Sequence, residues 1–175
     1  MKIALYLGSF NPFHNGHLEV VKSALRDFKI DKVVIVPSMQ NPWKKEKALN
    51  IDKRVDIIHD SMVKELFCIK NNNRIRISSI EKNLIPPYYS YATLHALKNK
   101  YCNDKIFVLC GEDTIEKIPE WMHGGKIIED YDFLIVDRPK ESISSTLIRN
   151  KVKNKEDISE YVNENVINLI KNYYK

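Results

Sequence analysis

The chain has 175 residues, 43% of them hydrophobic and 29% charged, with a formal net charge of +5 and a pI near 9.0. Those values suit one globular α/β domain with room for a sizeable core, and no apolar run approaches the ~20 residues that a spanning helix needs. Three widely spaced cysteines, Cys68, Cys102 and Cys110, make neither a disulfide framework nor a paired metal motif, so a reducing cytoplasm is the expected compartment.

The basic balance fits a pocket for polyanionic small molecules as well as it fits nucleic acid. Much of it comes from solvated lysine and asparagine stretches such as residues 151–155.

In chain order, the first predicted element is a buried strand over residues 2–7, too short for a signal peptide and without a cleavage-like site. Leu18, Val21, Leu25 and Phe28 then fall on one face of a helix. A second strand is predicted over 32–37, followed by a helix carrying Val55, Ile58 and Met62. A third strand over 74–80 precedes a helix begun by Leu94 and Leu97. Strands over 105–110 and 133–136 follow, and Val162, Val166, Ile170 and Tyr173 form a last helical pattern.

Strands alternating with helices predict βαβ crossovers and a parallel sheet covered on both faces, in one doubly wound α/β domain of about five strands. In such sheets ligands bind outside the carboxyl ends of the strands. The loops of interest are therefore 8–16, 37–45, the stretch after Glu81, 111–121 and 138–146. Every distinctive cluster in the chain falls in one of them.

The first loop reads Gly8-Ser9-Phe10-Asn11-Pro12-Phe13-His14-Asn15-Gly16-His17 and leads into a helix. Gly8 is expected to let a ligand approach the backbone, and Gly16 to permit tight packing at a helix N-terminus, where N–H groups favour an anion. His14 and His17, three apart, can face one spot and donate to a phosphate that gains charge in a transition state. They are alternatively metal ligands, although no third ligand is suggested, or incidental polar residues.

Ser144, Ser145 and Thr146 precede a helix, as N-caps do. Three hydroxyls followed by Arg149, whose fork of donors matches phosphate oxygens, are better explained as phosphate ligands. Lys44 and Lys45 lie in the loop after the second strand, above the same sheet end or simply on the surface. Gly111-Glu112-Asp113 follows the fourth strand; Asp113 can accept hydrogen bonds from a ribose, and Trp121 is either core or a stacking surface.

The first loop resembles the GxFxPxHxGH signature of the nucleotidyltransferase superfamily, and residues 143–149, Ile-Ser-Ser-Thr-Leu-Ile-Arg, resemble its C-terminal phosphate-binding motif. With Val36-Pro37-Ser38, Gly111-Glu112-Asp113, Trp121 and Arg138-Pro139, the chain is similar to nicotinate mononucleotide adenylyltransferases from about residue 2 to residue 173.

The resemblance implies a Rossmann-like sheet in a single domain over 1–175, with a helical C-terminal part at about 144–175. It also implies transfer of AMP from ATP to nicotinate mononucleotide, with release of pyrophosphate, in NAD synthesis, Mg²⁺ accompanying the ATP. By the same pattern His14 and His17 contact ATP phosphates with Lys44 or Lys45, while Ser144, Ser145, Thr146 and Arg149 hold the triphosphate. Gly8, Ser9, Phe10, Gly16, Gly111 and Asp113 line the nucleotide side. Trp121 stacks on the pyridine, with Ser90 and Arg138 also on the acceptor side.

Asn11 and the segment Tyr88-Tyr89-Ser90 depart from the common bacterial pattern, which keeps nicotinamide mononucleotide as an alternative acceptor. Transfer to pantetheine phosphate or of CMP is a further alternative; Trp121 and the Gly-Glu-Asp loop argue against it. A non-catalytic nucleotide-binding regulator is another, but basic-aromatic interleaving suited to single-stranded nucleic acid is missing. The expected partners are thus ATP and a pyridine mononucleotide, without nucleic acid or membrane, and relatives of this kind suggest a homo-oligomer.

Overall fold

Five short runs rich in Val, Ile and Leu assemble into one parallel sheet in the computed structural model, which describes residues 1–40, 46–68, 74–136 and 143–175, the side chains of 64–68 excepted. The strands are β1 (Lys2–Gly8), β2 (Lys32–Pro37), β3 (Ile75–Ile77), β4 (Lys105–Gly111) and β5 (Asp132–Val136), in the order β3-β2-β1-β4-β5. Registers run from Ile3 opposite Lys32 to Gly8 opposite Pro37, and from Lys2 opposite Lys105 to Leu5 opposite Val108.

The doubly wound sheet expected from the alternating elements is therefore present. Helices α1 (Asn15–Asp27), α2 (Ile51–Cys68), α3 (Ser90–Lys100), α4 (Glu112–Ile115), α5 (Gly124–Asp130), α6 (Ser145–Lys153) and α7 (Ile167–Tyr173) connect and cover it.

Period-two alternation splits the core between the two faces. Ala4, Tyr6, Val33, Ile35 and Leu109 pack with α1, α2, α6 and the C-terminal segment. Ile3, Leu5, Val34, Val36 and Val108 pack with Leu94 and Leu97 of α3 and Ile127 of α5. Among the described residues no helix is long and apolar enough to cross a membrane.

Three expectations need correction. The third strand spans only Ile75–Ile77, because Ser79 turns the chain into a 3₁₀ turn at Ile80–Asn83 that buries Glu81. On α2 the buried face carries Ile51, Arg54, Ile57, Ile58 and Met62, while Val55 is half-buried. The C-terminal pattern is not one helix: Asn163 caps a 3₁₀ turn at Glu164–Val166, and α7 starts after it, although Val162, Val166 and Ile170 are buried as the spacing predicts.

Candidate active site

The strand order reverses between β1 and β4, so the crevice outside their carboxyl ends is where this topology offers a ligand site. The loop after β1 and the Gly-Glu-Asp segment after β4 flank it. Ser38, just after β2, donates its N–H to the carbonyl of Gly8 at 2.9 Å and carries the neighbouring loop to the same edge.

His14 ends that first loop in an extended conformation and α1 begins at Asn15, as the helix-start reading required. Its carbonyl accepts from the N–H groups of His17 and Leu18, at 2.9 and 3.1 Å. The two imidazoles stack with centroids 3.7 Å apart. The backbone N–H of His14 donates to Nδ1 of His17 at 3.3 Å. An Nδ1 that accepts leaves the ring proton on Nε2, so His17 is set as a neutral Nε2–H donor. Edge contacts from Tyr6 and Phe10 hold the His17 ring in place.

The glycines serve these rings. A Cβ on Gly8 would come within 2.8 Å of the Phe10 ring, so the missing side chain makes room for Phe10. A Cβ on Gly16 would stand 3.2 Å from the His14 imidazole, which explains a small residue there. Phe10 itself adopts a left-handed φ of 45°, a conformation that costs a bulky residue of order 1–2 kcal/mol.

Helix α6 is fastened to this loop. Ser144 caps the helix, accepting from the N–H of Leu147 at 3.1 Å. Ser145 donates from its hydroxyl to the carbonyl of Pro12 at 2.8 Å. Arg149 donates to the carbonyl of Asn11 at 2.8 Å and to the Glu46 carboxylate at 3.0 Å, with the Thr146 hydroxyl 3.4 Å away. The Asn11 side chain accepts from the Leu49 N–H and from the Tyr174 hydroxyl. Burial pushes the Tyr174 phenol well above its ordinary range, which keeps it a donor.

Beside the loop lies a cavity of about 210 Å³ lined by Gly8, Ser9, Ser38, Glu81, Tyr88, Tyr89, Ser90, Thr114 and Trp121. The structure thus brings Ser90, at the start of α3, and Trp121, after β4, to the same space as the first loop. Gly111 is buried at the end of β4, and Asp113 stands exposed in the first turn of α4. Lys44, Lys45 and Arg138 lie outside the described residues.

Two buried charges at this sheet end were missed from the sequence. Arg54 is wholly buried, and its guanidinium donates to the carbonyls of Ser9, Met39 and Leu49. Glu81 is 2% exposed and accepts from the Met39 N–H at 2.6 Å and the Thr93 hydroxyl at 2.7 Å. Burial raises the Glu81 carboxyl above its ordinary range, against the pull of these two donors and of Arg54. The available signal was Arg54 at helical spacing from Ile51, Ile57 and Ile58, a charge on an apolar face.

Among the described residues no group of three or more His, Cys, Asp or Glu side chains is placed to hold a metal ion.

The sequence profile of the cytidylyltransferase-like family matches residues 5–151. The chain is 35% identical to a Fusobacterium nucleatum protein named "Probable nicotinate-nucleotide adenylyltransferase", over 99% of each chain. It is 28% identical to the nicotinate-nucleotide adenylyltransferase of Bacillus subtilis, over 94% of this chain and 96% of that one. A Vibrio parahaemolyticus protein of known structure shares the fold with a TM-score of 0.80 at 24% identity, over 99% of this chain and 94% of that one.

Proposed function

The chain belongs to the cytidylyltransferase-like family, among its nicotinate-nucleotide adenylyltransferases, and on that premise we infer that it transfers AMP from ATP to nicotinate mononucleotide. The products are nicotinate adenine dinucleotide and pyrophosphate, in NAD biosynthesis. Full-length similarity to a relative of that activity carries the assignment; the paired histidines beside a cavity holding Ser90 and Trp121 supply chemistry that suits it.

A phosphate oxygen of the acceptor attacks the α-phosphorus of ATP, the bond to the bridging oxygen breaks, and pyrophosphate leaves. The acceptor phosphate is already anionic at neutral pH, so no general base is needed. What the protein supplies is in-line positioning and charge stabilisation. In this reading the Nε2–H of His17, held by the His14 backbone, donates to the reacting phosphate, with His14 stacked behind it. Ser145, Thr146 and Arg149 receive the leaving phosphates, Arg149 exchanging its exposed partner Glu46 for the triphosphate. Mg²⁺ carried in with ATP would supply charge neutralisation for the leaving pyrophosphate.

Trp121 and Ser90 form the acceptor side, and Gly111 and Asp113 the ribose side. We read the whole chain as one domain, in which the C-terminal part at about 144–175 fastens the first loop, and place the enzyme in the cytoplasm, the reducing compartment that suits its three widely spaced cysteines. Pyrophosphate release on mixing purified protein with Mg-ATP and nicotinate mononucleotide is the expected result. It should exceed the rate with the amide form and stop when EDTA removes the metal. No turnover with either pyridine nucleotide overturns the assignment.

A further inference from the structure

Arg54 is fully buried, and a buried guanidinium is costly unless each of its hydrogen-bonding directions is used. Here each of its three nitrogens donates to a backbone carbonyl. Nη1 donates to the Ser9 carbonyl at 2.6 Å, Nε to Leu49 at 2.7 Å and Nη2 to Met39 at 3.1 Å. These carbonyls belong to the loop after β1, the turn before α2 and the loop after β2. One side chain of α2 therefore sets the separation of the segments that border the active-site cavity, which Ser9 and Glu81 both line. Met39 is held at its other end too, since its N–H donates to Glu81.

The bond to Ser9 has a directional consequence. Carbonyl and N–H of a trans peptide point opposite ways. With the Ser9 carbonyl turned to Arg54, the Phe10 N–H points the opposite way, away from Arg54. Phe10 is also the residue held at a φ of 45°. An unfavourable backbone conformation persists only where its surroundings over-determine it, and the shortest of the three Arg54 bonds lies on the adjacent peptide.

We propose that Arg54 is a positioning residue for the nucleotide, acting through the Ser9–Phe10 peptide, which its guanidinium orients so that the Phe10 N–H faces a substrate phosphate. This rests on the adenylyl-transfer reading above. A residue serving stability alone would be better replaced by an apolar side chain; the fork geometry serves loop placement, and lysine cannot reproduce it.

Arg54→Lys and Arg54→Met are compared with wild type by thermal melting and, well below their midpoints, by steady-state kinetics and calorimetric titration of ATP without acceptor. Arg54→Lys is expected to melt within several degrees of wild type yet to bind ATP at least tenfold more weakly. A lowered midpoint with unchanged ATP affinity overturns the proposal. On the wild-type chain, which does not depend on a variant folding, ATP should shift the Phe10 amide resonance and adenosine should not. An unmoved Phe10 amide at saturating ATP equally overturns it. Failure of the functional reading shows separately, as ATP binding without pyrophosphate release from wild type.

Discussion

Arg149 on α6 donates to the carbonyl of Asn11 at 2.8 Å, across 138 residues of sequence. With Ser145 on Pro12 and Tyr174 on the Asn11 side chain, it ties the C-terminal segment to the loop that ends at His14. The motif near the C-terminus is thus part of the scaffold of the first motif as well as a candidate phosphate site. The outer partner of Arg149 is the exposed carboxylate of Glu46.

Arg149→Lys is expected to raise the KM for ATP by about 10–100-fold, since lysine cannot bridge a carbonyl and a phosphate with one planar fork. Glu46→Gln is the control. An exposed ion pair contributes roughly 0–1 kcal/mol, so the melting temperature should barely move, and the KM for ATP should fall if Glu46 competes with phosphate. Steady-state kinetics on both variants decide it.

His17→Ala should lower kcat by roughly 10²–10³, the cost of one preorganised donor at a developing charge. The lost bond to the His14 N–H is a capping interaction of about 1 kcal/mol, so the variant remains folded by circular dichroism. Near-normal turnover would remove His17 from the transition state.

Trp121→Ala should raise the KM for nicotinate mononucleotide by about 5–150-fold while leaving that for ATP within about twofold. Stacking of a base on an aromatic side chain is worth about 1–3 kcal/mol. Trp121→Phe should recover most of the loss. Equal effects on both substrates would mean that the indole is only packing, as its contacts with the α3–α5 core would allow.

Glu81 gives a pH dependence whose sign follows from burial. Its folded carboxyl titrates higher than in the unfolded chain, where the value is about 4.3. The folded state therefore binds this proton more tightly. The corresponding stability is complete below the unfolded value and is lost as pH rises through the folded one. In urea titrations from about pH 4 to pH 7, the stability of wild type relative to Glu81→Gln should decline. A flat or rising difference would contradict a raised carboxyl.

What could be read along the chain was whatever depends on near neighbours. Short apolar, β-branched runs placed the strands, and residues three or four apart placed α1 and α3, because these patterns follow from local geometry. Gly16 and the two histidines were legible for the same reason: Gly16 lies two residues from His14, and His17 three. Even there local reading had a limit. Gly8 was read for its open approach alone, and the packing of the Phe10 ring against it became visible only in the structure.

Where the chain doubles back, local pattern was silent. Arg54 was not singled out in the sequence, yet it reaches the carbonyl of Ser9, 45 residues away. Glu81 served only to mark where a loop of interest begins, yet it accepts from Met39, 42 residues away. Tyr174 meets Asn11 across 163 residues. A polar side chain carries no mark of its partner, and burial makes that partner obligatory only once the sheet has closed. The elements and the histidine pair were therefore written in the order of residues, whereas the frame that aims the loops was decided by the packing of distant segments on one sheet end.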